Sequence, residues 1–550
     1  MRTRTLTDLP TDLWAIVAKA ADTDELWQLY GLNRSARDGV VMVVMEREAL
    51  RRGQAIAFFR IVYLRQNAFL TGGAGTGKSH VMRRAVDVLL SQRKKVVVTA
   101  FTGMASLVAT TDHLRATTIH RAFNIQSRRR SPSSPPFLFE GVTVGGGDDW
   151  DSDGESDSDS DGGGGENEAG GDDESGGPAI VDDYEEGLPT IVLNQETTHR
   201  LRGLKLLVVD EVSMVRQDMI EMIDGALRAA RRSSRPWGGC QVLLCGDLFQ
   251  LAPIVSTPTI PWAFRARSWA TLFPLQLTEV VRQSDPQWIA ALNRMRWARP
   301  TAADLALVKA RARQAGDADT SFMPSHAKCD AINLSKLRTL PEPLAVLHAD
   351  VSLYEVHSRF PWRATQLHLP ARTPQLPKNG ALVLSLKVGA RVRCLKNIMR
   401  DGDLETANNQ MGTVLAIDVP RNTVTVRWDA VGCIEAKETV VRRCWWLKKQ
   451  KFTGPGRCAV HVVVKQVPLS LAWAVTLHAA QGSSVDRPVN VDHTKKTQVD
   501  GRWTEEPGAA YVALSRATRL DHMRLLRPLK ISDFRAHPEV QEYYRSLPAL

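Results

Sequence analysis

Cysteine is scarce and scattered: seven residues in 550, with no two spaced as C-x-x-C. That excludes a dense disulfide framework and suits a reducing compartment. Cys433, Cys444, Cys458 and His461 lie near one another, but their spacings do not match ordinary zinc pairs. No apolar run approaches the roughly 20 residues that cross a bilayer, so no membrane partner is expected. The opening "MRTRTLTDLPTDL" lacks the apolar block of a secretory signal, and Asp8 and Asp12 weaken a transit-peptide reading. Basic residues are missing altogether from residues 144–190, which hold 17 acidic ones. Almost devoid of apolar side chains at its centre, this acidic segment is expected to stay disordered, as an insertion within the first large domain. Elsewhere 71 basic residues face 43 acidic ones, a net +28. Such a body suits a polyanionic partner such as nucleic acid, or simply solubility.

What is present starts with phosphate chemistry. At 550 residues and 43% apolar content the chain has room for several globular domains. "FLTGGAGTGKSH" carries Gly72-x-x-x-x-Gly77-Lys78-Ser79, the Walker A pattern. In it Gly72, Gly73, Ala74, Gly75, Thr76 and Gly77 form a loop whose backbone N–H groups face phosphates. Lys78 reaches the β/γ oxygens and Ser79 holds magnesium. "NAFL" reads as the strand before the loop, and "KSHVMRRAVDVLLSQRK" as the helix after it. In "LKLLVVDEVSM", Leu206 to Val209 read as a buried parallel strand with Asp210 and Glu211 at its carboxyl end. Asp210 there suits magnesium, and Glu211 suits polarising the attacking water. "CQVLLCGD" is a further strand, ending in Asp247, and Gln250 follows where a γ-phosphate sensor would sit. The expected reading is an α/β ATPase that uses ATP and Mg2+.

The order of the remaining segments narrows the class. "VVVTAFTGMAS", "TTIHRAF", "LTEVVRQSD", "WAVTLHAAQGSSVD" and "YVALSRAT" resemble the ordered motifs of superfamily-one helicases. "DMIEMIDGALRAARRSSRPWGGCQ" resembles the signature segment of the Pif-one helicase family, and the likeness runs over about residues 50–530 outside the acidic insertion. It implies two RecA-like P-loop domains around one ATP. The first covers residues 46–300, with an insertion at 122–200, and the second covers 301–550. A small Src-homology-three-like barrel is implied at about 400–465. "GTVLAIDVPRNTVTVRWD" alternates there as paired strands should.

By the same resemblance Gln54 reads adenine, with a spacing to the loop one residue longer than the family's. Arg282 and Arg516 reach the γ-phosphate from the far side of the cleft. Gln481 and Gly482 couple ATP to the bound strand, although Ala479 stands where the family usually has lysine. Thr102, Gly103, His120, Thr476 and His478 contact the strand backbone. The implied activity is ATP-dependent DNA unwinding, 5′-to-3′, on single-stranded and forked DNA by a monomer, in replication, repair, recombination or telomere maintenance. A RecD-like translocase subunit is the nearest enzymatic alternative.

Two regions stay open. Residues 1–45, with Leu13, Ile16, Val17 and Ala20 at helical spacing, resemble an F-box that docks on a Skp-type adaptor; otherwise they are a helical cap. An F-box beside a helicase implies a nuclear protein, or one at a cytoplasmic viral replication site. It also leaves open an adaptor whose body merely holds DNA. "RRCWWLKKQK" reads equally as a base-stacking platform or as barrel-core tryptophans with a basic edge. "IPWAFRARSWATLF" is read as helix packing.

Overall fold

The computed structural model describes residues 26–126, 190–314, 320–356, 382–451, 459–481 and 488–548 apart from short gaps, with strands at 142–144 and 364–367 and scattered positions before 26. The acidic insertion and Gly482 lie outside the described residues.

Lobe one is a six-stranded parallel sheet in the order Thr117–Thr118, Val96–Ala100, Leu206–Asp210, Gln241–Gly246, Ala68–Gly72, Phe273–Leu277. Its central strands are continuous apolar runs because both faces are covered. Phe69, Leu207 and Val209 enter the cluster beneath the helix Gln217–Arg231, while Leu70, Leu206 and Val208 enter the opposite cluster beneath Lys78–Ser91. Parallel pairing stacks the carboxyl ends of these strands along one edge, so Gly72, Ala100, Asp210 and Gly246 all open on it. Ligands bind at that edge in open α/β sheets.

The helix Arg34–Glu48 belongs to the same lobe. Its Val40, Val41, Val43 and Val44 are buried in the second cluster, and Tyr30 stacks on Phe59 of the helix Arg52–Val62 at 4.5 Å. The expected boundary at residue 45 therefore falls inside a helix whose apolar side is already spent on lobe one. Most of the F-box-like stretch before residue 26 lies outside the described residues.

The signature segment closes lobe one through tight backbone contact. Gln217–Arg231 is followed by a turn in which Trp237 and Gly238 both adopt positive φ. A Cβ on Gly238 would lie 2.5 Å from the Leu227 carbonyl oxygen, so only glycine fits. The expected helix in "IPWAFRARSWATLF" is instead two short 3-10 turns, Ala263–Arg265 and Arg267–Thr271, with Trp262 and Trp269 buried. The turns still pack, with Trp262 and Trp269 in the lobe-one core.

Lobe two is a smaller parallel sheet in the order Arg313–Gln314, Met523–Leu525, Val489–Val491, Thr320–Met323, Ala474–Thr476. Between its second and third strands in sequence lies a five-stranded antiparallel sheet running from Arg391 to Leu471, wider than the expected 400–465. Met411–Asp418 and Thr423–Trp428 pair in it, with Val414, Val424, Val426 and Trp428 facing its core. No helix among the described residues is long and apolar enough to cross a membrane.

Candidate nucleotide and strand cleft

The Walker loop turns off the end of Ala68–Gly72. Gly75 and Gly77 hold φ of 81° and 84°, values that only glycine adopts cheaply. Gln54 Nε2 donates to the Thr76 carbonyl at 3.0 Å, and its Oε1 accepts from Arg51 N–H at 3.1 Å. Gln54 is thus fixed against the loop. A Cβ on Gly77 would meet that Nε2 at 2.3 Å. Lys78 folds back, its Nζ donating to Gly72 O at 2.8 Å and Gly73 O at 3.1 Å. Burial lowers its pKa, opposed by the carboxylates of Asp247, Glu211 and Asp210.

Asp210 ends its strand beside Ser79's helix and is buried. Burial and then the Glu211 carboxylate push its pKa up to about 7. One carboxylate, one hydroxyl, phosphate oxygens and water are what Mg2+ takes, so Asp210 and Ser79 fit that ion without a dedicated cage. No cluster of three or more metal-ligating side chains occurs among the described residues. Glu211 stands at φ 54°, with its N–H on Asp210 Oδ1 at 2.9 Å.

Lobe two reaches this edge directly. Arg516 Nη2 donates to Gln250 Oε1 at 2.9 Å, and both residues are buried. Gln481 Nε2 donates to Ser213 Oγ at 3.3 Å and to Glu211 Oε2 at 3.5 Å. Gly508 carries φ 79°, and a Cβ there would sit 2.7 Å from Phe249 O and 2.9 Å from Gln250 O. The lobes approach as closely as backbone allows. Arg282 is exposed, while its N–H and that of Val281 donate to Gly75 O at 3.1 and 2.8 Å.

Asp247 is placed differently from a nucleotide contact. Fully buried, its carboxylate receives Arg296 through Nη2 at 2.8 Å and Nε at 3.1 Å, and the Tyr511 hydroxyl at 3.1 Å. Burial opposes its charge, but Arg296 outweighs that and holds its pKa below the usual range. Sequence reasoning passed over Arg296, Tyr511 and also Gln283. Gln283 is 3% exposed beside Gly75, and neither end of its amide has a partner among the described residues. A buried unpaired amide costs about 1–3 kcal/mol per group, which marks Gln283 as a candidate ligand contact. Its place directly after Arg282 was the one available signal.

The strand-contact candidates gather at the same edges. Thr102 caps the helix Gly103–Ala109 through Ala105 N–H at 3.1 Å, and His120 follows Thr118, which pairs with Ala100. Thr476 ends its strand, and His478 lies 3.6 Å from Glu506. Asn397 and Asn408 of the inserted sheet come over Gly103, where a Cβ would meet Asn397 Oδ1 at 2.1 Å. The two tryptophans divide: Trp446 is buried, whereas Trp445 is 43% exposed with Lys465 Nζ 4.6 Å from its ring centre.

With this geometry in view, comparison with known proteins is informative. A family model described as an AAA domain matches residues 49–316. The ATP-dependent DNA helicase PIF1 of Emericella nidulans is 28% identical over 524 residues, covering 88% of this chain and 61% of that protein. The Homo sapiens PIF1 is 27% identical, covering 89% and 63% respectively. The chain thus spans about three fifths of the length of these curated relatives. A crystal structure of Bacteroides Pif1 in complex with ADP-AlF3 and ssDNA superposes with a TM-score of 0.61 at 23% identity, covering 90% of this chain and 96% of that one. This likeness shows the fold: two RecA-like P-loop lobes.

Proposed function

We propose that the chain is an ATP- and magnesium-dependent DNA helicase that moves on single-stranded DNA and opens duplex at forks. The observation that carries this reading is the 2.9 Å bond from Arg516 of lobe two to Gln250 of lobe one, beside the Walker loop. An arginine supplied across a cleft is worth about 10³–10⁵ in phosphoryl-transfer rate. At about 1.36 kcal/mol per decade this is about 4–7 kcal/mol.

Each residue has a task that its position supports. Lys78 leaves its two loop carbonyls to meet the β/γ oxygens. Asp210 and Ser79 would hold Mg2+, whose charge would offset that of the phosphates. Glu211 orients the attacking water from its left-handed turn. Gln250 and Arg516 read the terminal phosphate together, with Arg282 arriving from the loop that lies on Gly75. Gln54 stands where an adenine would be read. Gln481, bonded to Ser213 and near Glu211, links the site to Thr476 and His478 on the strand path, with Thr102, Gly103 and His120 opposite.

Fuel is needed for a simple reason. Opening a base-pair step costs about 1.4 kcal/mol, and stacking a freed base on an aromatic recovers about 1–3 kcal/mol. Binding alone can trap a few open pairs but resists its own release, so hydrolysis must reset the grip. Travel in the 5′-to-3′ direction, monomeric action and a closed small barrel at 391–471 belong to the same proposal, carried by the family likeness. A Skp-type adaptor, by contrast, is left only the stretch before residue 26. The test is ATPase and unwinding on substrates with opposite single-stranded overhangs, for the wild type and Lys78→Ala. Turnover is expected to vanish in the variant while strand binding persists; turnover persisting in Lys78→Ala sinks the site assignment.

A further inference from the structure

The last helix, Pro538–Ser546, follows lobe two in sequence but packs into the core of lobe one. Its approach is tied to lobe two, where Gly508 N–H donates to Arg535 O at 2.9 Å. It then crosses over. Val540 and Tyr544 are buried in the lobe-one cluster, Glu539 pairs with Arg265, and Gln541 Nε2 donates to Trp297 O at 3.0 Å.

Where Tyr544 lands is the informative point. Parallel pairing between Ala68–Gly72 and Gln241–Gly246 ends at Thr71 opposite Gly246. Beyond it the two central strands splay, one into the Walker loop and the other into Asp247 and Gln250. Leu248 N–H therefore has no ladder partner, and it donates instead to the Tyr544 hydroxyl at 3.2 Å. The same hydroxyl bonds Thr71 Oγ1, one residue before the loop, and comes within 3.5 Å of Asp247 Oδ1. One oxygen thus spans the fork. Its ring stacks on Phe249 at 4.8 Å, and the Arg296 guanidinium lies 4.5 Å from the Phe249 ring centre and 4.8 Å from that of Tyr544. Tyr544 is one wall of the slot that aims Arg296 at Asp247, and Asp247 in turn takes Tyr511 of lobe two.

We infer that Tyr544 is a positioning residue of the nucleotide site, its hydroxyl setting the spacing between the Walker strand and the Gln250 segment, so that ATP hydrolysis depends on the chain's final helix. The inference rests on the ATPase reading above. Tyr543 supplies the control, because it sits on the same helix but its hydroxyl has a different target: it accepts from Trp269 Nε1 at 2.8 Å, and the ring stacks on Phe264. Loss of a merely structural hydroxyl would cost both tyrosines alike.

The experiment measures DNA-stimulated ATP turnover, with kcat and KM separated, for the full chain and for Tyr544→Phe, Tyr543→Phe, Thr71→Val and the Thr71→Val/Tyr544→Phe double variant. Thermal unfolding is recorded for each. Tyr544→Phe is expected to lower kcat about tenfold with KM for ATP within about twofold, while Tyr543→Phe stays within about twofold on both. Thr71→Val should reproduce the fall, and the double variant should be no worse than Tyr544→Phe alone, because both remove the same bond. If Tyr544→Phe does not fold, Thr71→Val against Tyr543→Phe decides. The inference is overturned if kcat is unchanged, if Tyr543→Phe falls equally, or if only KM rises. A wild type without DNA-stimulated turnover instead overturns the ATPase reading, and this inference with it.

Discussion

Lobe one and lobe two share a parallel α/β plan but divide the labour unequally. The central strands of lobe one run five or six residues, are buried on both faces, and carry Lys78, Ser79, Asp210, Glu211 and Gln250 on one edge. Strands in lobe two run only two to four residues, and the sheet is interrupted by the long insertion through 391–471. It delivers Arg516, Gln481 and Tyr511 across the cleft. The proposed function assigns phosphate binding to the longer-stranded half and the completing side chains to the slighter one, so that hydrolysis would require the two to be closed on each other.

Perturbing one half at a time sharpens this division. The largest stability effect should come from Arg296→Met, which leaves the lobe-one carboxylate of Asp247 buried and uncompensated at about 3–5 kcal/mol. Unfolding in urea, with the midpoint compared to wild type, checks it. Because the Asp247 pKa is depressed in the folded state, the pair stabilises above the ordinary carboxyl range. That contribution fades only as pH falls through the folded value. Its loss should therefore be plain at pH 7.

Gly508→Val, which forces a branched side chain to positive φ against the Phe249 and Gln250 carbonyls, should lower the melting temperature and, assayed well below it, ATP turnover about 10²-fold. Turnover near wild type in the folded variant would mean that the contact is structural alone. Removing the amide in Gln283→Leu should raise KM for ATP about five- to tenfold, the result that assigns the amide to nucleotide; an unchanged KM would assign it to water. The smallest effect belongs to Trp445→Ala, at about fivefold in single-strand affinity. Measured by fluorescence anisotropy at fixed salt, an unchanged affinity would make Trp445 a covering side chain for Lys465.

Much of lobe one was legible because its signals are local. Apolar runs ending in acid marked the strands Leu206–Asp210 and Gln241–Gly246, and glycine spacing marked the loop. Alternation marked the paired strands Met411–Asp418 and Thr423–Trp428. What escaped was long-range. Tyr511 and Tyr544 meet Asp247 across 264 and 297 residues; Tyr511 opens the segment "YVALSRAT", but nothing in its spacing pairs it with Asp247, and Tyr544 lies in no such segment. The role of Arg34–Glu48 was obscured in the same way: its valines fit any helical cap, and only packing shows them to be part of lobe one. Asp247 illustrates the reverse case. Its position at a strand end reads as a ligand to nucleotide, but whether a strand-end carboxylate faces the cleft or an arginine depends on a partner 49 residues away.

The central claim is that lobe two completes the hydrolytic site, and the most direct measurement is single-turnover ATP hydrolysis by Arg516→Ala beside equilibrium binding of a fluorescent ATP analogue. Hydrolysis should fall by about 10³-fold or more while nucleotide affinity stays within about threefold. Hydrolysis near the wild-type rate, with DNA stimulation intact, would contradict the account.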